Sequence, residues 1–285
     1  MALPANTPPV SDLLAALEDR VATAGSGPLI TWYDLDKGFR TELSGRTFAN
    51  WVDKSANLLV SMDVDEFPRV ANTLLITDPG HWVGLVWTMA TWQLGGQVVA
   101  TSREGLASID LLDAVVVGPH DPHPVPGVET IACSLHPLGA GFMQRPNGVT
   151  DYAEVLSQPD VHWRVAPEAA VCFDAETPHN WDELGAVSPS CERLLLSPGP
   201  DPWTMVCHAL VAPILGGGST VIAVGGTPDQ RDSLARQERA ALACAPPHAS
   251  CYSSRPNACR LAASRRFDPV ASRREEYAGW HDRRP

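Results

Sequence analysis

The chain has 285 residues, of which 44% are hydrophobic and 19% charged, so it is long enough for one or two domains and too apolar for a disordered protein. Its net charge of −12 argues against nucleic acid or an anionic membrane as the partner. No apolar run reaches the ~18 residues of a membrane span, and the start of the chain does not resemble a signal peptide. The seven cysteines are scattered and include no CxxC pair, as is usual for reduced thiols. These features together predict a cytoplasmic protein.

The first part of the chain predicts a helix, a hairpin and a second helix. Apolar residues at helical spacing follow a Ser11 cap, and a linker ends this N-terminal segment at residue 27. Leu29–Asp34 and Arg40–Leu43 flank a short turn and predict a β-hairpin. Thr47 is placed to cap the second amphipathic helix.

A strand–helix–strand unit follows. Leu74–Ile76 predicts its first strand, and Asp78–Gly80 breaks the chain. A helix then runs from Trp82 to the glycine pair at 95–96, and Val98–Ala100 predicts the second strand.

The same pattern occurs a second time. Leu194–Leu196 predicts a strand, Asp201 caps a helix that begins near Trp203, and Thr220–Val224 predicts the closing strand. Because crossovers of this kind build parallel sheets, the repeat predicts an α/β fold with two pseudo-repeated βαβ-containing halves, at about 28–118 and 150–240.

The remaining segments are less informative. Leu111–Val117 predicts a strand, and the loop at 119–148 contains a short strand near Glu129–Cys133. Further predictions are a helical turn at Tyr152–Leu156, a strand at Ala169–Phe173, a helix at Asn180–Val187 and a helix at Asp229–Ala241.

The organisation is therefore an N-terminal helix and linker at 1–27, an α/β domain at 28–240 and a tail at 241–285. The tail holds eight arginines against four acids and has no apolar period, which predicts an irregular basic segment. A frame-shifted gene end and a basic partner-binding tail both remain open for it.

Candidate site residues cluster in the two turns that follow the predicted first strands. Open α/β sheets bind ligands at the carboxyl ends of strands, so a ligand pocket would contain Asp78, His81, Trp82, Asp201 and Trp203. Helix capping is the simpler role for both aspartates, and core packing for Trp82. We assign no catalytic residue.

Three histidines in the long loop could suggest a metal. His120, His123 and His136 lie near Asp121 and Cys133, but their Pro-rich spacing lacks helical or CxxC geometry. The sequence predicts no metal site.

The order of elements resembles the N-terminal half of AMP-forming adenylating enzymes, the acyl-CoA synthetases and peptide-synthetase adenylation domains. Arg46–Trp51 resembles their T-Y-x-E-L helix start, and the pieces Arg69–Ala100, Leu112–Val117 and Arg193–Ala223 resemble their strand and βαβ motifs. The resemblance covers about residues 28–235. More closely, the chain resembles a small actinobacterial family of uncharacterised, truncated proteins that keep this N-terminal part.

Departures from the family pattern bear on function. The family's phosphate loop, S-G-T-T-G-x-P-K-G, precedes the second βαβ unit, where this chain has at 166–191 one glycine, no lysine and five acids. The family's histidine in the next turn is absent at 201–203, and no lysine follows Lys54 to act as the lid lysine.

The resemblance with these departures implies a catalytically degenerate binding or scaffold protein, whose acidic surface and sheet edge dock another protein. The alternative is an acyl- or aminoacyl-adenylate-forming ligase that works with a separate chain and uses ATP or AMP with magnesium. A third hypothesis is a Rossmann-type binder of a small molecule such as NAD or flavin.

Overall fold

Two five-stranded, mostly parallel sheets form the framework of the computed structural model. It describes residues 9–243 except 65, 163, 166–182 and 185. The strands are β1 (Pro28–Asp34), β2 (Phe39–Ser44), β3 (Arg69–Asn72), β4 (Gln97–Ala100), β5 (Ala114–Val117), β6 (Glu129–Ala132), β7 (Thr150–Asp151), β8 (Arg193–Leu196), β9 (Ser219–Val224) and β10 (Ala241–Leu242).

The helices connect these strands or pack between the sheets. They are α1 (Pro9–Ala24), α2 (Gly45–Ser61), the single turn α3 (Leu74–Thr77), α4 (Trp82–Gln93), α5 (Pro202–Val206), α6 (Ala212–Gly216) and α7 (Pro228–Glu238). A π-helical segment at Cys207–Val211 joins α5 to α6, and 3-10 turns occupy Glu104–Ser108 and Tyr152–Ser157. Among the helices that the structure describes, none has both the length and the apolar content needed to cross a membrane.

The first sheet has the order β10-β8-β9-β1-β2, and the second has the order β4-β3-β5-β6-β7. All neighbours are parallel except the β1–β2 hairpin, whose residues 28–34 pair antiparallel with 39–44. Both predicted βαβ units are present, because β3 pairs with β4 and β8 pairs with β9 in parallel. The predicted α/β fold class is therefore confirmed.

The main apolar core lies between the two sheets. Side chains of α1, α2, α4 and the α5–α6 helix pack there against one face of each sheet, including Ile30, Leu196 and Ile222 of the first sheet. The other face of that sheet packs on α7 through Leu195, Val221 and residues around them. Both faces of the first sheet are thus covered, as expected for parallel strands.

The π-helical segment has a local cause. Pro213 has no N–H to donate to the carbonyl of Ala209 four residues earlier. The hydroxyl of Thr220 on β9 donates to that carbonyl instead, at 3.0 Å. The proline and the threonine therefore allow a wider π-helical turn at this point without leaving the Ala209 carbonyl unpaired.

The structure corrects several local predictions. The first strand of the first unit is Arg69–Asn72, and Leu74–Ile76 lies in the helical turn α3, because an apolar run does not by itself distinguish a strand from a buried turn. The cap of α2 is Ser44, whose hydroxyl accepts from the Thr47 amide.

The hairpin also differs from the predicted halves. Residues 28–44 were assigned to the first half, but β1 pairs with β9 of the second βαβ unit. The predicted elements at 169–173, most of 180–187 and the tail beyond residue 243 lie outside the described residues.

Candidate functional site

The carboxyl ends of the parallel strands form two crevices. In the second sheet, β3 and β5 are neighbours, but the chain leaves β3 toward β4 on one side and leaves β5 toward β6 on the other. In the first sheet, β8 connects to β9 through α5–α6, and β9 returns past β8 to β10 through α7. The connections diverge in the second sheet, and in the first sheet they run on opposite faces, because α5–α6 packs in the main core and α7 packs on the other face. Neighbouring strands whose connections part in this way open a crevice at their carboxyl ends, where α/β sheets bind ligands.

Asp78 and His120 meet at the crevice of the second sheet. His120 follows β5, and its Nε2 lies 3.8 Å from Oδ1 of Asp78. Thr77 donates its hydroxyl to the other carboxylate oxygen of Asp78, at 2.8 Å. The His120 side chain is mostly exposed, whereas that of Asp78 is largely covered. The imidazole that approaches the Asp78 carboxylate is therefore that of His120.

Arg231 bridges the crevice of the first sheet. It projects from α7 and donates through Nη1 to the Ser197 hydroxyl, which follows β8, at 3.2 Å. It donates through Nη2 to the carbonyl of Gly226, which follows β9, at 3.3 Å. Its Nε donates to the Thr227 carbonyl at 3.4 Å. The guanidinium is thus held between the carboxyl ends of the neighbouring strands β8 and β9.

The two crevices adjoin each other. Gly80, in the turn after α3, has a positive φ of 80°. A Cβ built on Gly80 would lie 3.0 Å from Cε of Met205 and 3.1 Å from Cγ of Pro198, both in the second βαβ unit. The two turns that the sequence singled out are therefore packed together, and glycine is needed both for the backbone angle and for this close approach.

His81 is a buried cap. Its Nδ1 accepts a hydrogen bond from the Val83 amide at 3.2 Å, so His81, and not Asp78, caps α4. The ring lies edge-on to Trp32, with centroids 4.6 Å apart. Burial lowers the pKa of His81 to about 3, although the Leu135 backbone opposes this shift. His81 is therefore neutral at physiological pH, which gives it no role as a cationic ligand group.

Trp82 is a core residue. Its side chain is 1% exposed, and its ring meets that of Trp51 at a centroid distance of 5.1 Å. The indole has no access to the crevice as a ligand platform in this packing. The burial of Trp82 therefore supports core packing, which the sequence analysis gave as the simpler role of this residue.

Asp201 and Trp203 lie at the start of α5. The carboxylate of Asp201 accepts from the amides of Trp203 and Thr204, both at 3.2 Å, so Asp201 is the predicted cap. Asp201 is exposed and Trp203 is half-buried. Asp201 and Trp203 follow the end of β8, but the Asp201 carboxylate is already hydrogen-bonded to the first amides of α5.

Sequence reasoning missed Arg231. It lies in the helix predicted at Asp229–Ala241, 34 positions from Ser197 in the chain. A parallel strand order was needed to bring the ends of β8 and β9 together, and no local motif encodes that order. His120 was considered as a metal ligand of the long loop, and its approach to Asp78 was not predicted.

Other features of the described residues do not extend the site. No group of three or more His, Cys, Asp or Glu side chains within the described ranges is arranged to hold a metal ion. Two surface grooves lie elsewhere, one along residues 124–130 and 145–150 and the other lined by the acids Asp63, Glu66, Asp113 and Glu129.

Similar solved structures are acyl-CoA synthetases. The Brucella canis acyl-CoA synthetase matches 81% of this chain and 46% of its own, with a TM-score of 0.62 and 15% identity. The anthranilate CoA ligase AuaEII, solved in complex with anthranoyl-AMP, matches 83% of this chain and 49% of its own, with a TM-score of 0.58 and 14% identity. The chain has the fold of acyl-CoA synthetases.

The part of that fold which the chain contains is the N-terminal part. The N-terminal domain of FACL13 from Mycobacterium tuberculosis matches 80% of this chain and 61% of its own, with a TM-score of 0.55 and 13% identity. The chain thus spans about half the length of the two synthetases above.

One curated relative is similar in sequence. A protein of Mycobacterium tuberculosis named TIGR03089 family protein is 35% identical over 149 residues, which are 50% of this chain and 58% of the relative. No protein-family model matches the chain. The mycobacterial relative agrees with the actinobacterial resemblance.

Proposed function

We propose that this chain is a binding or scaffold protein that uses the N-terminal fold of acyl-CoA synthetases without forming adenylates itself. The observation that carries the proposal is the composition of residues 166–191, which come directly before β8. This stretch contains five acids, one glycine and no lysine. A phosphate loop needs small residues and cationic or amide donors, so an acidic stretch here disfavours a triphosphate.

The described turn after β8 supports the same conclusion. Both carboxylate oxygens of Asp201 accept hydrogen bonds from the backbone amides at the start of α5. The Ser197 hydroxyl accepts a hydrogen bond from Arg231. The residues between Ser197 and Asp201 are two prolines and a glycine. This turn therefore contributes no free acid–base group to a reacting carboxylate.

We expect this chain to differ from the related structures in nucleotide binding. The AuaEII ligase holds anthranoyl-AMP, and a Legionella pneumophila fatty acyl-adenylate ligase holds acyl adenylate and pyrophosphate. In the present chain, the described crevices offer the guanidinium of Arg231 but also the carboxylates of Asp78 and Asp201. These residues do not fit a magnesium triphosphate, so we propose no step through ATP.

We expect the partner of such a scaffold to be another protein, since the region 1–240 has a net charge of −16 that disfavours nucleic acid and anionic lipid. The ligase alternative requires that a separate chain supply the missing phosphate and lid groups. The two hypotheses differ in a single activity, which is adenylate formation.

Pyrophosphate exchange tests the proposal. The full-length chain is incubated with ATP, Mg²⁺, labelled pyrophosphate and a mixture of fatty, aromatic and amino acids, with an active acyl-CoA synthetase assayed in parallel. We expect the chain to add no label to ATP, either in buffer or in a native cell lysate depleted of it, each compared with the same mixture without the chain. Exchange that depends on the chain in either condition would support the ligase alternative and contradict the scaffold proposal.

A further inference from the structure

β2 is the longest and most exposed of the strands that lie at the edges of the two described sheets. The edge strands β7 and β10 have two residues each, and β4 has four, of which three are buried. β2 has six residues, and Phe39, Arg40 and Glu42 among them are exposed. A long, exposed edge strand presents N–H and C=O groups with which a further strand can pair.

The outer backbone groups of β2 are not paired within the part of the chain that the structure describes. The strand forms its ladder there with β1, in antiparallel pairs between residues 28–34 and 39–44. No other hydrogen bond among the described residues joins the backbone of residues 39–43. The nearby loop contacts a side chain instead, because the Thr41 hydroxyl donates to the Pro137 carbonyl at 2.8 Å. Every second residue of β2 therefore directs its N–H and C=O away from β1.

Two opposite charges flank the centre of this strand. Side chains alternate along a strand, so Arg40 and Glu42 lie on one face of β2 and Thr41 lies on the other. Nη2 of Arg40 is 2.6 Å from Oε2 of Glu42, and both side chains are still more than a third exposed. The acid nearest to them on α7, Glu238, is paired with Arg193. The strand itself therefore carries one positive and one negative charge, two positions apart.

This charge pattern complements itself in a single antiparallel register. Because the backbone groups alternate in direction, a residue that points outward must meet an outward-pointing residue, so two copies of one strand can pair only about a residue and not between two. Pairing about Arg40 or about Glu42 would place two like charges opposite each other. Pairing about Thr41 places Arg40 of each copy opposite Glu42 of the other, which is stabilising. A centre at Phe39 or Leu43 pairs half of the strand or less.

We propose that β2 pairs with β2 of a second copy of this chain, antiparallel about Thr41, in a dimer with two-fold symmetry. The two five-stranded first sheets then join into one continuous sheet. The two Arg40–Glu42 pairs set the register, and the contact closes at two copies because the same surface is used on both sides. The inference goes beyond the proposed function, since self-association neither requires nor excludes adenylate formation.

Sedimentation velocity of the full-length protein in reducing buffer, over a range of concentrations, tests the dimer. Pairing of a single strand buries less surface than a standard interface, so we expect a weak dimer with a dissociation constant of about 1–100 µM. Arg40→Glu opposes glutamates to glutamates across the symmetry axis, and Glu42→Arg opposes arginines to arginines. Each substitution is expected to weaken dimerisation roughly tenfold or more.

The matched control is Arg145→Glu. It changes the net charge by the same amount as Arg40→Glu, at an exposed ion pair in the loop before β7. Exposed pairs of this kind contribute little to stability, and the position lies outside β2. We therefore expect this variant to dimerise like the wild type.

Mixing the two single variants gives the sharpest readout. Arg40→Glu protein and Glu42→Arg protein have complementary charges across the axis, so we expect their mixture to form a heterodimer about as tight as the wild-type dimer. The double variant, which carries both substitutions in one chain, restores the same two pairs and is expected to dimerise alone. Recovery in the mixture excludes misfolding as the cause of the loss, because it uses the same two proteins that fail separately.

Three results would overturn the inference. They are a wild type that stays monomeric up to about 500 µM, single variants that dimerise like the wild type, or a mixture of the folded single variants that does not associate. The first result would leave the edge of β2 to a different partner, and the second would place the dimer contact on another surface. The pyrophosphate assay is independent of this measurement, so a failed dimer and a failed scaffold proposal give different results.

Discussion

The two βαβ units share a sequence pattern, but the helix and helix cap of the first unit are more deeply buried than those of the second. Every residue of α4, from Trp82 to Gln93, is buried, and its cap is the buried His81. In the second unit, Trp203 and His208 are half-buried and the cap is the exposed Asp201. Both units contribute apolar side chains to the main core, but the helix of the first unit is buried throughout, whereas the helix of the second unit has an exposed cap and half-buried residues.

The largest expected effect separates the two leading tryptophans. Trp82→Ala removes a 1% exposed indole from the core and is expected to lower the free energy of unfolding by about 3–5 kcal/mol. Trp203→Ala removes a half-buried ring and is expected to cost about 1 kcal/mol. Urea unfolding followed by circular dichroism measures both. Equal costs would show that the two units contribute to the core in the same way.

A pH series sharpens the comparison of the two caps. Burial holds the pKa of His81 near 3 in the folded state, below the value of 6.5 expected when unfolded, so the unfolded chain binds the proton first. This contribution to stability is present above pH 6.5 and is lost as the pH falls toward 3. The wild type should therefore lose about 2–3 kcal/mol more than His81→Asn between pH 7.5 and pH 4.5.

His81→Asn is the appropriate variant because asparagine can still cap α4 without titrating. The difference between the two proteins isolates His81 from the carboxylates that also titrate in this range. Parallel unfolding curves at the two pH values, with no change in the difference, would contradict the buried neutral state of this ring.

The smallest expected effect concerns the exposed cap. Asp201→Ala removes the acceptor of the Trp203 and Thr204 amides and is expected to cost about 1 kcal/mol, whereas Asp201→Asn is expected to cost only a few tenths. Urea midpoints of the two variants at pH 7.5 check this. If Asp201→Asn were as damaging as Asp201→Ala, the carboxylate would have a role beyond capping.

Local sequence patterns were sufficient to predict most helices and strands of the two βαβ units. The helix from Trp82 ends near the glycine pair at 95–96 as predicted, and the strands at 97–100, 193–196 and 219–224 lie where short apolar runs indicated them. Turn residues and buried runs act within a few positions, so they can be recognised without knowing the fold. Leu74–Ile76 was the exception, since a short apolar run fits a buried helical turn equally well.

Long-range pairing could not be predicted in the same way. Nothing in residues 30–34 specifies that they pair in parallel with residues 220–224, because both runs are mostly apolar and suited to any buried strand. The crevice depends on that order, and so does the contact between Arg231 and Ser197. The sequence placed two candidate turns at strand ends, but only the fold shows that Gly80 joins them and that Arg231 lies beside one of them.

The central claim is that this chain retains an acyl-CoA synthetase fold without binding the nucleotide triphosphate. Titration calorimetry of the folded, full-length protein with ATP and Mg²⁺ tests it most directly. The account predicts no saturable heat up to about 1 mM ATP, a limit that corresponds to a binding free energy weaker than about −4 kcal/mol. Saturable binding at micromolar ATP would contradict it, because the acidic stretch before β8 would then accommodate a triphosphate.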